Sequence, residues 1–154
     1  MTQRILIMGL PGAGKTTLAG ELKKYLEKHG DISYGRALND FVGDLNAQVT
    51  WFNADDIRRK YNDWDFSQDG RIRQSLRMFQ FSMEAGGDYV ICDFVAPLVE
   101  QRNNFKADWT VWVHTIREGR YADTNTAFVE PEVYDFRVTE QNAEKWAEFI
   151  GQHI

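Results

Sequence analysis

Gly9-Leu10-Pro11-Gly12-Ala13-Gly14-Lys15-Thr16 sets three glycines, a lysine and a hydroxyl at the spacing G-x-x-x-x-G-K-[ST]. That combination suits the holding of a phosphate chain. Glycines let backbone N–H groups turn inward around phosphate oxygens, and a helix starting near Lys15 would aim its positive dipole end at the same anion. Lys15 would reach the β- and γ-phosphates of ATP, and Thr16 would place its hydroxyl on Mg²⁺. With Thr17 continuing the turn, residues 9–17 form the expected nucleotide cradle.

Carboxylates follow two later apolar runs. Asp55 and Asp56 come just after Val49–Phe52, where a side chain would face the same crevice as the phosphate loop and orient an acceptor hydroxyl. The competing reading makes Asp55 the cap of a helix over 56–60. Asp93 ends Tyr89-Val90-Ile91-Cys92, the place of a Walker-B-like aspartate that holds hydrated magnesium. Arg58, Arg71, Arg117 and Arg120 are candidates for anion contacts, because guanidinium forks match phosphate and sulfate oxygens. Arg117 and Arg120 fall in a stretch, 117–131, that reads as a lid over the transferred group. Phe66 either stacks on a base or staples a helix start. His29, His114 and His153 have no ligand spacing with Cys92, so the sequence contains no zinc pattern.

The elements that must position these groups alternate. Ile5–Met8 is continuously apolar, as in a strand covered on both faces. Leu18, Leu22, Tyr25 and Leu26 then fall on one helical face, and Gly30 supplies a stop. Strands are expected at Val49–Phe52, Tyr89–Val95, Trp109–His114 and Phe136–Val138. A long helix starts near Ser67 with Ile72, Leu76, Phe79 and Met83 as its apolar face, and a last helix carries Ala143, Trp146, Ala147 and Ile150 after a Thr139 cap. Residues 31–48 read as an insertion with a short helix at Ala37–Val42. The pattern predicts one domain over 1–154, a three-layer α/β fold of the P-loop nucleoside-triphosphate hydrolase type with a mostly parallel sheet flanked by helices.

With 154 residues and 43% hydrophobic content, the chain can bury a sizeable core. Its 18 basic and 23 acidic residues give a charge of -5, which works against binding nucleic acid through counterion release. One cysteine excludes an internal disulfide, and Cys92 reads as a small buried hydrophobe in a reducing compartment. The first apolar run is too short for a signal peptide and no run is long enough to span a membrane, so a soluble cytoplasmic protein is expected. The sequence leaves a homodimer open.

Taken together, these motifs resemble the adenylylsulfate kinase family, P-loop enzymes that phosphorylate the ribose 3′-hydroxyl of adenylyl sulfate. Asn53-Ala54-Asp55-Asp56-Ile57-Arg58 stands where the family has D-G-D-N-[IV]-R. Asp63-Trp64-Asp65-Phe66-Ser67-Gln68-Asp69-Gly70-Arg71 answers D-L-G-F-S-x-x-D-R, and Asp93-Phe94-Val95-Ala96-Pro97 with Arg102 answers S-F-I-S-P and its following arginine. The resemblance implies ATP and Mg²⁺ on Lys15 and Thr16, Asp55 as a catalytic group at the acceptor hydroxyl, Arg58 and Arg71 on the acceptor's anionic part, and Phe66 against its adenine. Gln74, Phe94 and Val95 complete the implied acceptor site. Asn53, Gln74 and Ala96 depart from the family's aspartate, asparagine and serine, and a lysine-rich lid run is absent.

Two other readings stand beside it: a kinase of the same architecture acting on a nucleoside, nucleotide or modified base, and a non-catalytic ATP-binding module or switch. A GTPase would need N-K-x-D, which is missing, and the D-x-x-G match at Asp40–Gly43 follows no strand.

Overall fold

The computed structural model describes residues 1–32 and 46–154. Its sheet has five parallel strands: β1 (Gln3–Met8), β2 (Val49–Asn53), β3 (Tyr89–Asp93), β4 (Trp109–Val113) and β5 (Phe136–Val138), in the order β2-β3-β1-β4-β5. The sheet is therefore wholly parallel among the described residues. The expected helix at Ala37–Val42 and the Asp40–Gly43 match lie outside them.

Alternating side chains divide the core. Ile5, Ile7, Ile91, Val111 and Val113 face one layer, packed against α1 (Lys15–His29) and α6 (Ala143–His153). Leu6, Met8, Val90, Cys92 and Trp112 face the other, formed by α2 (Ala54–Tyr61), α3 (Gln68–Glu84) and α4 (Val99–Phe105). This two-sided burial explains why β1 and β3 read as unbroken apolar runs. A short helix α5 (Ala122–Ala127) follows β4.

Three local expectations are corrected. Leu76 and Met83 are exposed, whereas Arg71, Gln74, Ser75, Met78 and Ser82 form the buried face of α3. The apolar spacing is misleading because this helix turns polar side chains inward, where Arg71 meets Thr124, Gln74 the Ala54 carbonyl and Ser82 the Arg4 guanidinium. Asn142 rather than Thr139 caps α6, its side chain accepting from the Lys145 N–H. β3 stops at Asp93, so Phe94 and Val95 belong to the loop after it. Among the described residues no helix is long and apolar enough to cross a membrane.

Candidate active site

The phosphate loop joins β1 to α1 at the carboxyl edge of the sheet. Gly9, Gly12 and Gly14 have φ of 151°, 87° and 105°. A Cβ at Gly9 would stand 2.5 Å from the Val113 carbonyl oxygen, so only glycine fits that close approach. The loop is braced by the Ala13 N–H on the Leu10 carbonyl (3.1 Å) and by the Thr115 hydroxyl on the Ala13 carbonyl (2.7 Å). Among the described residues no side chain caps α1 at Gly14, and the N–H groups of Lys15, Thr16 and Thr17 have no intrahelical acceptors. Such a concave set of donors at a helix start fits a phosphate. The Lys15 ammonium is buried and donates to the Leu10 carbonyl (3.0 Å). Burial pulls its pKa down from 10.5 to about 8, against the opposing pull of Asp93 and Asp55.

Asp93 is buried at the tip of β3, in register with Asn53 at the end of β2. Its Oδ1 accepts from the Thr16 hydroxyl (3.5 Å) and Asn53 Nδ2 (3.0 Å), and its Oδ2 from Trp51 Nε1 (2.6 Å). Burial raises its pKa, while the Trp51 and Asn53 donors and the nearby Lys15 pull the other way. A hydroxyl paired with one carboxylate is the kind of partial oxygen set that magnesium completes with phosphate oxygens and water. Asn53 also donates to Thr16 Oγ1 (3.3 Å), and its own Oδ1 accepts from the N–H groups of Asp55 and Asp56 (3.0 and 3.3 Å). Asn53 is thus the cap of α2, which corrects the reading of Asp55 as a cap and leaves the exposed Asp55 carboxylate unused by the helix.

A cavity of about 470 Å³ opens beside this cluster. Asp55, Arg58, Phe66, Arg71, Gln74, Phe94 and Val95 all line it, so the structure gathers every expected acceptor residue. Asp55, Phe94, Val95 and Arg120 also line the adjoining cavity with Lys15, Thr16, Thr17 and Asp93. The Phe66 ring is half exposed, with the Arg58 guanidinium 4.4 Å and that of Arg71 5.9 Å from its centroid. Its helix position faces Arg71 rather than an apolar residue, so no hydrophobic staple forms. Arg58 donates to the carbonyls of Asp63 and Asp65 (3.0 and 3.2 Å). Arg71 donates to the Phe66 carbonyl (2.7 Å) and Thr124 Oγ1 (3.1 Å), with Asp123 3.6 Å away. Gln74 donates to the Ala54 carbonyl (3.0 Å), and its buried Oε1 has no partner among the described residues. Arg117 is exposed and lines neither cavity.

The loop carrying Phe66 is fixed electrostatically. Asp63 takes Arg73 at 2.8 Å and Arg77 at 2.7 Å, contacts that hold its carboxyl well below the usual range. Arg102 donates to the carbonyls of Ala96 (2.9 Å), Pro97 (3.2 Å) and Val129, tying the loop after β3 to the segment after α5.

Sequence reasoning passed over Asn53 and Trp51 as partners of Asp93, and Asn125, which bonds Gly119 beside Arg120. Asn53 was findable, since the ends of adjacent parallel strands must meet. The bond from Trp51 depends on a rotamer that no spacing encodes. A further cavity of about 350 Å³, on the other side of the loop, is lined by Thr17, Thr115, Glu140, Gln141 and Asn142.

A family model described as an AAA domain matches residues 5–122 of the chain, spanning the phosphate loop, Asp55, Asp93 and Arg120. The chain belongs to the AAA domain family. Solved structures similar to this AAA domain include the Mycobacterium tuberculosis APS kinase CysC in complex with AMPPNP and APS, 16% identical over 97% of this chain and 95% of that one, TM-score 0.70. Shikimate kinase from Acinetobacter baumannii in complex with shikimate is 18% identical over 99% and 93%, TM-score 0.60. A gluconokinase from Sinorhizobium meliloti is 12% identical over 98% and 94%, TM-score 0.59. At these identities the shared property is the fold. No curated protein matches the sequence.

Proposed function

We propose that this AAA domain transfers the γ-phosphoryl group of ATP to a hydroxyl of a small acceptor, and that the acceptor is adenylyl sulfate, giving 3′-phosphoadenylyl sulfate and ADP. The observation that carries the reading is the shared wall: Asp55 and Arg120 line both the phosphate-loop cavity and the aromatic, arginine-rich cavity beside it. Lys15, Thr17 and the first-turn N–H groups would hold the phosphates, and Thr16 with Asp93 would hold magnesium. A magnesium ion held there would supply positive charge to offset the negative charge that develops on the phosphate oxygens. Asp55 takes the proton of the acceptor hydroxyl as its oxygen bonds to the γ-phosphorus. The bond from that phosphorus to the β–γ bridging oxygen breaks, and ADP leaves. Arg120 meets the charge on the transferred group.

The Phe66 ring between Arg58 and Arg71 supports a planar base with an anionic group, as adenylyl sulfate has. A second reading, a kinase of another hydroxyl compound, draws support from Asp123, which already answers part of the Arg71 charge. The shikimate kinase and the gluconokinase share the fold.

The test follows ADP release from Mg-ATP with adenylyl sulfate beside nucleosides, nucleotides and cyclic polyols. Turnover with adenylyl sulfate at a rate well above the others is expected. Turnover only with another acceptor would keep phosphoryl transfer and remove adenylyl sulfate. ATP binding without turnover on any acceptor would favour a non-catalytic module.

A further inference from the structure

Arg120 is exposed, and its guanidinium lies 5.8 Å from the Tyr121 ring centroid, near the outer limit of a cation–π contact. The order in this turn comes from the residue before it. Asn125 Oδ1 accepts from the Gly119 N–H at 2.7 Å and Asn125 Nδ2 donates to the Gly119 carbonyl at 2.9 Å, so one amide satisfies both polar groups of Gly119. Gly119 lies against the phosphate loop: a Cβ there would stand 3.0 Å from the Pro11 carbonyl oxygen and 3.3 Å from Pro11 Cδ. Asn125 is itself held on α5, its N–H on the Tyr121 carbonyl (3.0 Å), and the adjacent Thr124 hydroxyl takes Arg71. Contacts therefore run from the phosphate loop through Gly119, Asn125 and Thr124 to the acceptor arginine, with Arg120 inside the turn they close.

We propose that Asn125 is a positioning residue that aims Arg120 at the seam between the two cavities. The proposal rests on the phosphoryl-transfer reading. A carboxamide presents an acceptor and a donor on one rigid planar group, matching the N–H and carbonyl of Gly119 together; an ionised carboxylate can only accept. Without the amide ring the turn is held by packing alone, and the charge of Arg120 is spread over many positions.

The test measures slow hydrolysis of Mg-ATP, water taking the acceptor's place, so that acceptor identity does not enter. Asn125→Ala should lower kcat about 10- to 100-fold with the KM for ATP within about twofold, the pattern of lost orientation rather than lost binding. Arg120→Ala should lower kcat by at least as much, and the double variant should be no slower than Arg120→Ala alone. Asn125→Asp should resemble Asn125→Ala. Multiplicative losses in the double variant, or wild-type kcat in either Asn125 variant, would overturn the assignment. If Lys15→Ala stops hydrolysis but Arg120→Ala does not, phosphoryl transfer stands and the role of Asn125 falls. A wild type that turns over no ATP with water or with any acceptor of the panel removes both.

Discussion

Replacing Asn53 by aspartate tests the packing at the tips of β2 and β3. The amide nitrogen of Asn53 lies 3.0 and 3.3 Å from the two Asp93 oxygens. An aspartate would keep the cap on α2 through one oxygen and set its other against a buried carboxylate. Two full charges about 3 Å apart at an effective dielectric of about 20 repel by about 5 kcal/mol. Taking up one proton instead costs about 1.4 kcal/mol for each pH unit above the pKa of the pair, which burial of Asp93 already raises. The cheaper route leaves a loss of about 3–5 kcal/mol at pH 7.5 that shrinks toward pH 5.5. At roughly 2–4 °C per kcal/mol for a chain of this size, the melting temperature should fall by about 10 °C at pH 7.5. Asn53→Ser is the control: serine caps as well, adds no charge, and should cost about 1–2 kcal/mol at either pH. Thermal unfolding followed by circular dichroism at both pH values reads the difference. Millimolar Mg²⁺ should restabilise Asn53→Asp more than the wild type. An aspartate variant that melts no lower than the serine variant at pH 7.5, or whose deficit does not narrow at pH 5.5, would refute the reasoning.

Three further outcomes are expected. Lys15 titrates near 8 rather than 10.5, so the unfolded chain holds more protons between these values and ligand-free stability should gain from pH 8 upward through this group. A polyphosphate needs the protonated lysine, so ATP affinity should be full below pH 8 and fall above it, with proton uptake on binding; calorimetry in buffers of different ionisation enthalpy would show both, and a pH-independent affinity between 7 and 9.5 would contradict them. Phe66→Ala should raise the acceptor KM by about tenfold through lost ring and cation–π contact while leaving the KM for ATP unchanged, and equal increases in both would remove Phe66 from the acceptor site. Arg102→Met should cost about 1–2 kcal/mol, because it strips a charged donor from the part-buried Ala96 and Pro97 carbonyls and the exposed Val129 carbonyl; denaturant unfolding with a wild-type midpoint would count against that clamp.

What could be read from the sequence was what short spacing encodes. The phosphate loop, the strand that Asp93 ends and the helix begun by Ser67 each depend on neighbouring residues, and each was found. Asp55, Arg58, Phe66 and Arg71 stand out by residue type and place, Gln74, Phe94 and Val95 only through the family resemblance, and residues as distant as Asp55 and Arg120 line one cavity because the parallel sheet brings all its carboxyl ends to one edge. The buried face of α3 was misjudged because Gln74, Ser75 and Arg71 are turned inward by partners that periodicity does not register, among them the Ala54 carbonyl and Thr124. In the sequence Asn53 is a departure from a pattern, whereas in the fold its amide is the junction of Thr16, Asp93 and the start of α2.

The three-carbonyl grip of Arg102 has a consequence for exchanging parts between relatives. Residues 96–97 belong to one wall of the acceptor cavity and Val129 to the segment that returns from α5, yet both ends are fastened by a side chain on α4. A graft of 117–131 from a protein of the same fold would arrive without the fastening unless position 102 and its loop came with it. The natural unit of recombination for substrate range is therefore discontinuous in sequence, one piece near 96–102 and another ending near 129.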